Sequence, residues 1–171
     1  MRKNRGFSLI ELLIVVAIIL IIAVIAIPNL LRARMAANDS SAAGSIHAIN
    51  VAEVGYFGAY QTIGFPATMT PLGGADPCSP SPTTSCLLDN ALATNNGGAG
   101  KSGYMFAATG SVSAGGTIND QFYDTGTPIN SLTGTRAYCS TQDMVIRLQP
   151  AGNITQVASY NACTALNPQN N

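Results

Sequence analysis

Charge is scarce in this chain. Only 9% of its 171 residues are Asp, Glu, Lys or Arg, against roughly a quarter in an ordinary soluble domain. The 8 basic and 8 acidic side chains cancel, and there is one histidine. With so few cations, and no stripe of Lys/Arg interleaved with aromatics, nothing supports a nucleic-acid face. With a single histidine, and none of the four cysteines in a Cys-x-x-Cys pair, a zinc site lacks its ligand set and no metal is expected. No catalytic constellation stands out, so the chain is not read as an enzyme, and no cofactor is expected.

What the chain has instead is a long apolar run. No polar residue occurs from Leu12 to Ile27. Counted back to Phe7 the run is about 21 residues, close to the roughly 20 that span a hydrocarbon core as a helix. Arg2, Lys3 and Arg5 precede it and are expected to stay cytoplasmic by the positive-inside rule. Arg32 and Arg34, just past its far end, weaken that asymmetry. Everything after Pro28 is then expected outside the inner membrane. Removing the leading basic cluster leaves five cations against eight acids, a side-chain charge of about −3.

The cysteines fit an oxidising compartment. Cys78, Cys86, Cys139 and Cys163 all follow the apolar run, and an even number in an exported domain reads as two disulfides. Four cysteines allow three pairings. The sequence-local one, Cys78–Cys86 with Cys139–Cys163, is favoured.

A secretory signal peptide fits the start poorly. Its apolar core is about 7–15 residues, followed by a small-residue cleavage site. Here the run is longer, and the candidate processing point, Gly6–Phe7, lies in front of it. Residues 2–28, "RKNRGFSLIELLIVVAIILIIAVIAIP", resemble the N-terminus of type IV prepilins and of the related pseudopilins of type II secretion. The matching parts are a short basic leader ending in Gly6, aromatic Phe7, Glu11 five residues into the mature chain, and Pro28. The resemblance covers about the first third of the chain. It implies that a prepilin peptidase cuts after Gly6 on the cytoplasmic side and methylates the new amino group of Phe7. An inner-membrane platform and ATPase would then extrude the subunit into a homo-oligomeric filament. The chemistry would belong to those partners.

Glu11 then has a physical role. A charged group deep in a membrane segment costs a few kcal/mol or more. In a dry filament core, a Glu11 carboxylate and the Phe7 amine of a neighbour would each need the other, because attraction grows as the dielectric falls. That contact would fix axial register. The bland reading is a helix-end glutamate snorkelling to the headgroups.

Pro28 lies inside a long helical pattern, where a kink or local melting is expected. The pattern continues beyond it: Leu31, Met35, Ala42, Ile46 and Ile49 recur at three- and four-residue steps on one side. Tyr56, Phe57 and Tyr60 extend that side, with Glu53 as an interruption. Residues 62–102 are rich in Pro, Gly, Ser and Asn and read as a connecting loop, stapled by Cys78–Cys86. Its 79–85 stretch offers hydroxyls for O-linked sugar, although a plain solvated loop is preferred. Strands are expected at 103–109, 135–141 and 143–149, with weaker ones at 119–124 and 153–158. The last five residues, 167–171, are expected to fray.

The expected class is α+β: a long N-terminal helix packed on a small antiparallel sheet, the pilin fold. The segments are a cleaved leader 1–6, a transmembrane and filament-core helix 7–28, an amphipathic continuation 29–61, the loop 62–102 and a sheet head 103–171. His47 reads as a polar helix-face residue, and the head aromatics as packing. Asp120, Asp124 and Asp143 follow no familiar calcium loop, so a calcium reading is disfavoured. The functional reading is a type IV pilus-like subunit, held in the inner membrane before assembly and extracellular after it. The rivals are a type II secretion pseudopilin and a tip-displayed adhesin or DNA-uptake module. For DNA the head offers only Lys101, Arg136 and Arg147, spread along the sequence.

Overall fold

The computed structural model describes residues 7–169. They form two compact units, the first ending at Arg34 and the second starting at Met35. Helix α1 (Leu9–Ala59) contributes its first half to one and its second half to the other. In the first unit α1 is all but continuously apolar. Pro28 lies inside the helix, so the helix neither melts nor stops there.

In the second unit α1 buries one stripe: Ala42, Ser45, Ile46, Ile49, Asn50, Ala52, Glu53 and Tyr56. These recur at three- and four-residue steps, the spacing of one helix face. The stripe covers an antiparallel sheet of five strands in sequential order: β1 (Tyr104–Ser111), β2 (Gln121–Pro128), β3 (Tyr138–Thr141), β4 (Arg147–Leu148) and β5 (Asn167–Pro168). The β1–β2 register runs from Tyr104 opposite Pro128 to Ser111 opposite Gln121. Even-numbered β1 residues Tyr104, Phe106 and Ala108 point inward, the two-residue period of a half-buried strand. Leu72, Leu88, Leu92 and Ala93 of the 62–102 segment close the same core.

That segment is more ordered than its composition suggests. Its two arms are laced together: Ser85 N–H donates to Pro71 O at 2.7 Å, and Leu87 and Leu88 N–H both donate to Leu72 O, at 2.9 and 2.8 Å. Cys78–Cys86 closes it, and Cys139–Cys163 joins β3 to a helical turn at Tyr160–Thr164. The second disulfide is wholly buried and forms a small cluster with Val157 and Leu166.

Several sequence expectations change. Glu53 does not interrupt the buried face of α1: its exposure is 0%. Leu31 stays exposed and Met35 only half-buried, because the face they share with Ala42 begins before the packed unit does. The weak run at 119–124 becomes β2, an eight-residue central strand. Asp124, Gly126 and Pro128 are poor strand formers in isolation, but pairing with β1 and β3 on both sides overrides that. The runs 135–141 and 143–149 shrink to β3 and the two-residue β4. The run 153–158 is not a strand. Asn153 caps its own turn, accepting from Thr155 N–H at 3.0 Å, a local bond that competes with a ladder. The chain end is held rather than frayed as far as it is described: β5 pairs with β4, and Gln169 N–H donates to Ile146 O at 2.8 Å.

Candidate assembly site

The first turn of α1 is built by Ser8. Its carbonyl accepts from Glu11 N–H at 3.2 Å and from Leu12 N–H at 3.3 Å. Its own N–H donates to the Glu11 Oε2 at 3.0 Å. This is the returning half of a capping box, in which an acid three residues into the helix satisfies an orphan amide at its start. The carboxylate also sits at the positive end of the helix dipole. The Ser8-x-x-Glu11 spacing is legible in the sequence, yet this capping role is one the sequence analysis did not draw from it. Phe7 is described and 86% exposed, next to this turn. Gly6, the other half of the expected processing point, lies outside the described residues.

From this turn to Leu31 the apolar side chains of α1 have no partner within the unit. Leu12, Leu13, Ile14 and Val15, which together circle the helix, all remain exposed. A helix apolar all round is stable only where something apolar surrounds it, a bilayer or other helices.

The remaining candidates in the second unit do not converge. Asp120 accepts from Ser113 N–H at 2.7 Å and from the Ser113 hydroxyl, and these bonds hold it below the usual carboxylate range. Asp143 pairs with Arg147 at 2.5 Å, and that hydrogen bond pulls it down to about 2. Asp124 is inside the core. Among the described residues no three acidic, histidine or cysteine side chains gather as a metal group. His47 is exposed and lines an open groove with Val51, Leu87 and Lys101. The aromatics pack: Phe65 stacks between Phe57 and Phe122, each ring centroid 4.7 Å away.

The sequence reading missed Asp39. It accepts from the Tyr104 hydroxyl at 2.6 Å, and from Thr135 N–H at 3.2 Å and its hydroxyl at 2.5 Å. Burial first, then this bond to Asp39, raises the Tyr104 hydroxyl well above its ordinary range. Nothing local marks Asp39, because its partners lie 65 and 96 residues away.

Comparison with known proteins bears on the first turn and the apolar run. The family described as "Prokaryotic N-terminal methylation motif" matches residues 1–27. The N-terminal segment is similar to that of prokaryotic proteins methylated at the N-terminus, type IV pilins among the relatives. Over 40 residues the chain is 65% identical to the type IV wide pilus major component PilA4 of Thermus thermophilus, covering 23% of this chain and 30% of that one. Over 55 residues it is 47% identical to the type IV major pilin protein PilA of Myxococcus xanthus, covering 32% of this chain and 25% of that one. The matches thus span less than a third of either relative's length. No solved structure matches. The segment matched by the family model holds Phe7, Ser8, Glu11 and the apolar run; the α+β unit lies beyond it.

Proposed function

We propose that this chain is a structural subunit of a type IV pilus-like extracellular filament. The observation that carries the reading is the all-round apolar first half of α1, whose one acid, Glu11, is turned back onto its own first turn. Prepilin peptidase would cut between Gly6 and Phe7 and methylate the Phe7 amine. Before assembly the helix would anchor the subunit in the inner membrane, N-terminus cytoplasmic and the α+β unit periplasmic. There the Ser8 bond lowers the cost of carrying a carboxylate at the membrane edge, since an acid with a hydrogen-bond donor is cheaper to desolvate than a bare one. An assembly ATPase and its membrane platform would drive extrusion, with helix burial among neighbours as the favourable term and Pro28 as the point of bending. In the filament the Phe7 amine of a neighbouring subunit would take over from Ser8 as the partner of Glu11 and set the axial register. The proposed role is structural; the peptidase and ATPase supply the chemistry.

The test is intact mass and N-terminal sequence of the protein from sheared surface filaments and, separately, from membranes. An abundant sheared product beginning at methylated Phe7 supports a surface pilus. The same processed product confined to membranes points instead to a periplasmic pseudopilin or a rare minor subunit. A product beginning at Met1 in both fractions overturns the assembly reading.

A further inference from the structure

The α+β unit contains an acid pair that the filament reading does not use. Glu53 of α1 and Asp124 of β2 are each 0% exposed, and among the described residues none of their four carboxylate oxygens has a hydrogen-bond partner. The Asn50 Oδ1 is buried without a partner as well. Leaving one such group unsatisfied costs about 1–3 kcal/mol, and a buried carboxylate costs more.

Three observations put these groups on one interface. Asn50 and Glu53 are one turn apart on the buried stripe of α1. The Asn50 Nδ2 donates to the Ser140 Oγ at 2.9 Å, and Ser140 is the cross-strand neighbour of Asp124. Two residues along β2, a Cβ added to Gly126 would lie 3.4 Å from Ile46 of α1. Asp124 shares that face by the strand period, so it looks toward the helix.

Among the described residues no cation is paired with these acids. On α1 the titratable group facing it is Tyr56, whose hydroxyl is pushed up by burial, then by Tyr60 and Glu53. On β1 the residue opposite Asp124 is Ala108, and on β3 it is Ser140. Arg147 of β4 is engaged by Asp143. His47 is on the exposed side of α1. The surface pockets beside α1 and the sheet are lined by other residues.

We infer that Glu53 and Asp124 form a proton-binding pair that holds α1 on the sheet while protonated and loosens that packing when it ionises. A proton on either carboxyl supplies the hydrogen-bond donor that this set of acceptors lacks. Losing it to solvent leaves a carboxylate in an apolar interface. Desolvation, and then the charge of Asp124, pushes Glu53 up to about 9; desolvation pushes Asp124 up to about 8, against a weaker pull from the nearby Ser140 amide, which does not reach hydrogen-bond geometry with it. The two titrate as a unit. The folded state therefore keeps protons that the unfolded chain releases in the ordinary carboxylate range, and rising pH favours unfolding. Each proton so kept weakens the folding equilibrium about tenfold per pH unit. The loss starts near pH 4 and levels off above the folded values. This inference concerns the α+β unit and stands whether or not the chain forms a filament.

The experiment uses the full chain in detergent micelles. Its thermal midpoint is followed from about pH 5 to about pH 9.5, and infrared spectra at neutral pH are searched for the carbonyl band of a protonated carboxyl. The wild type is expected to show that band and a midpoint that falls steadily with pH. The Glu53→Gln/Asp124→Asn variant is expected to lack the band and to hold its midpoint across the range. Absence of the band from the wild type at pH 7 overturns the inference. So does a midpoint at pH 8 that calcium raises and a chelator lowers, because a metal ion would then be the ligand. If the variant does not fold, the wild-type band and the calcium titration decide the question alone.

Discussion

The Glu11 carboxylate accepts the N–H of Ser8 at 3.0 Å. One acid thus caps its own helix and remains near Phe7, the residue whose amine the proposed processing would expose. The bond gives the carboxylate a partner within its own chain, which a neighbour's amine would have to displace.

Removing the charge tests this relationship. Glu11→Gln keeps an acceptor for Ser8, whereas Glu11→Ala loses it. Both are expected to be cut after Gly6 normally, and both to fail in filament incorporation. A buried charge left without its partner costs about 3–5 kcal/mol, which is ample to block assembly. Normal yield of sheared filaments from Glu11→Gln would sink the register role.

The two disulfides are expected to differ in weight. Cys139–Cys163 spans 24 residues and is fully buried, while Cys78–Cys86 spans 8 and is partly open. Loop-closure entropy alone assigns them about 3.5 and about 2.6 kcal/mol, and the buried pair also loses packing when removed. In urea titrations the Cys139→Ala/Cys163→Ala variant should therefore fall further in midpoint than Cys78→Ala/Cys86→Ala.

Gly134 leaves no room for a side chain. A Cβ there would lie 2.6 Å from the Tyr104 Cζ, and Tyr104 is fully buried and tied to Asp39. Gly134→Ala should cost about 1–3 kcal/mol through overpacking. Gly44, exposed on α1 with nothing within 4 Å, is the contrasting case. Gly44→Ala should raise the thermal midpoint, since alanine is the better helix former by about 1 kcal/mol.

The Asp143–Arg147 pair should act at the acid end of the pH scale. Asp143 is held down to about 2, so its contribution is present above the ordinary aspartate value near 4 and is lost as pH falls toward 2. Asp143 is 42% exposed, so the contribution is that of a surface pair, about 0.5 kcal/mol. Arg147→Gln should lower the midpoint slightly at pH 6 and leave it unchanged near pH 2. An equal drop at both would assign the effect to the lost packing of the arginine stem.

Much of the local structure was legible. The apolar run, the continuation of the helix past Pro28 and the burial of Ala42, Ile46, Ile49 and Tyr56 follow from spacing alone. So did the strand at Tyr104, where a Tyr-Met-Phe run follows a turn of glycine and serine. β2 was underrated because Asp124, Gly126 and Pro128 argue against a strand until both neighbours pair with it. The stretch around Val157 was overrated, since its alternation is real but its backbone is occupied by an Asn153 turn.

The sequence by itself determined where a helix could lie in lipid and which residue would be the acid at its head. Both depend on neighbours within a few positions, and periodicity records them. Only the tertiary structure decided what the polar residues of the second unit meet. Asp39 finds Tyr104 and Thr135, whereas Glu53 and Asp124 are shut into the interface of helix and sheet with no donor. Those partners lie tens of residues apart in the chain, and burial arises only when the faces close. A glutamate that will be desolvated is written the same way as one that will face water.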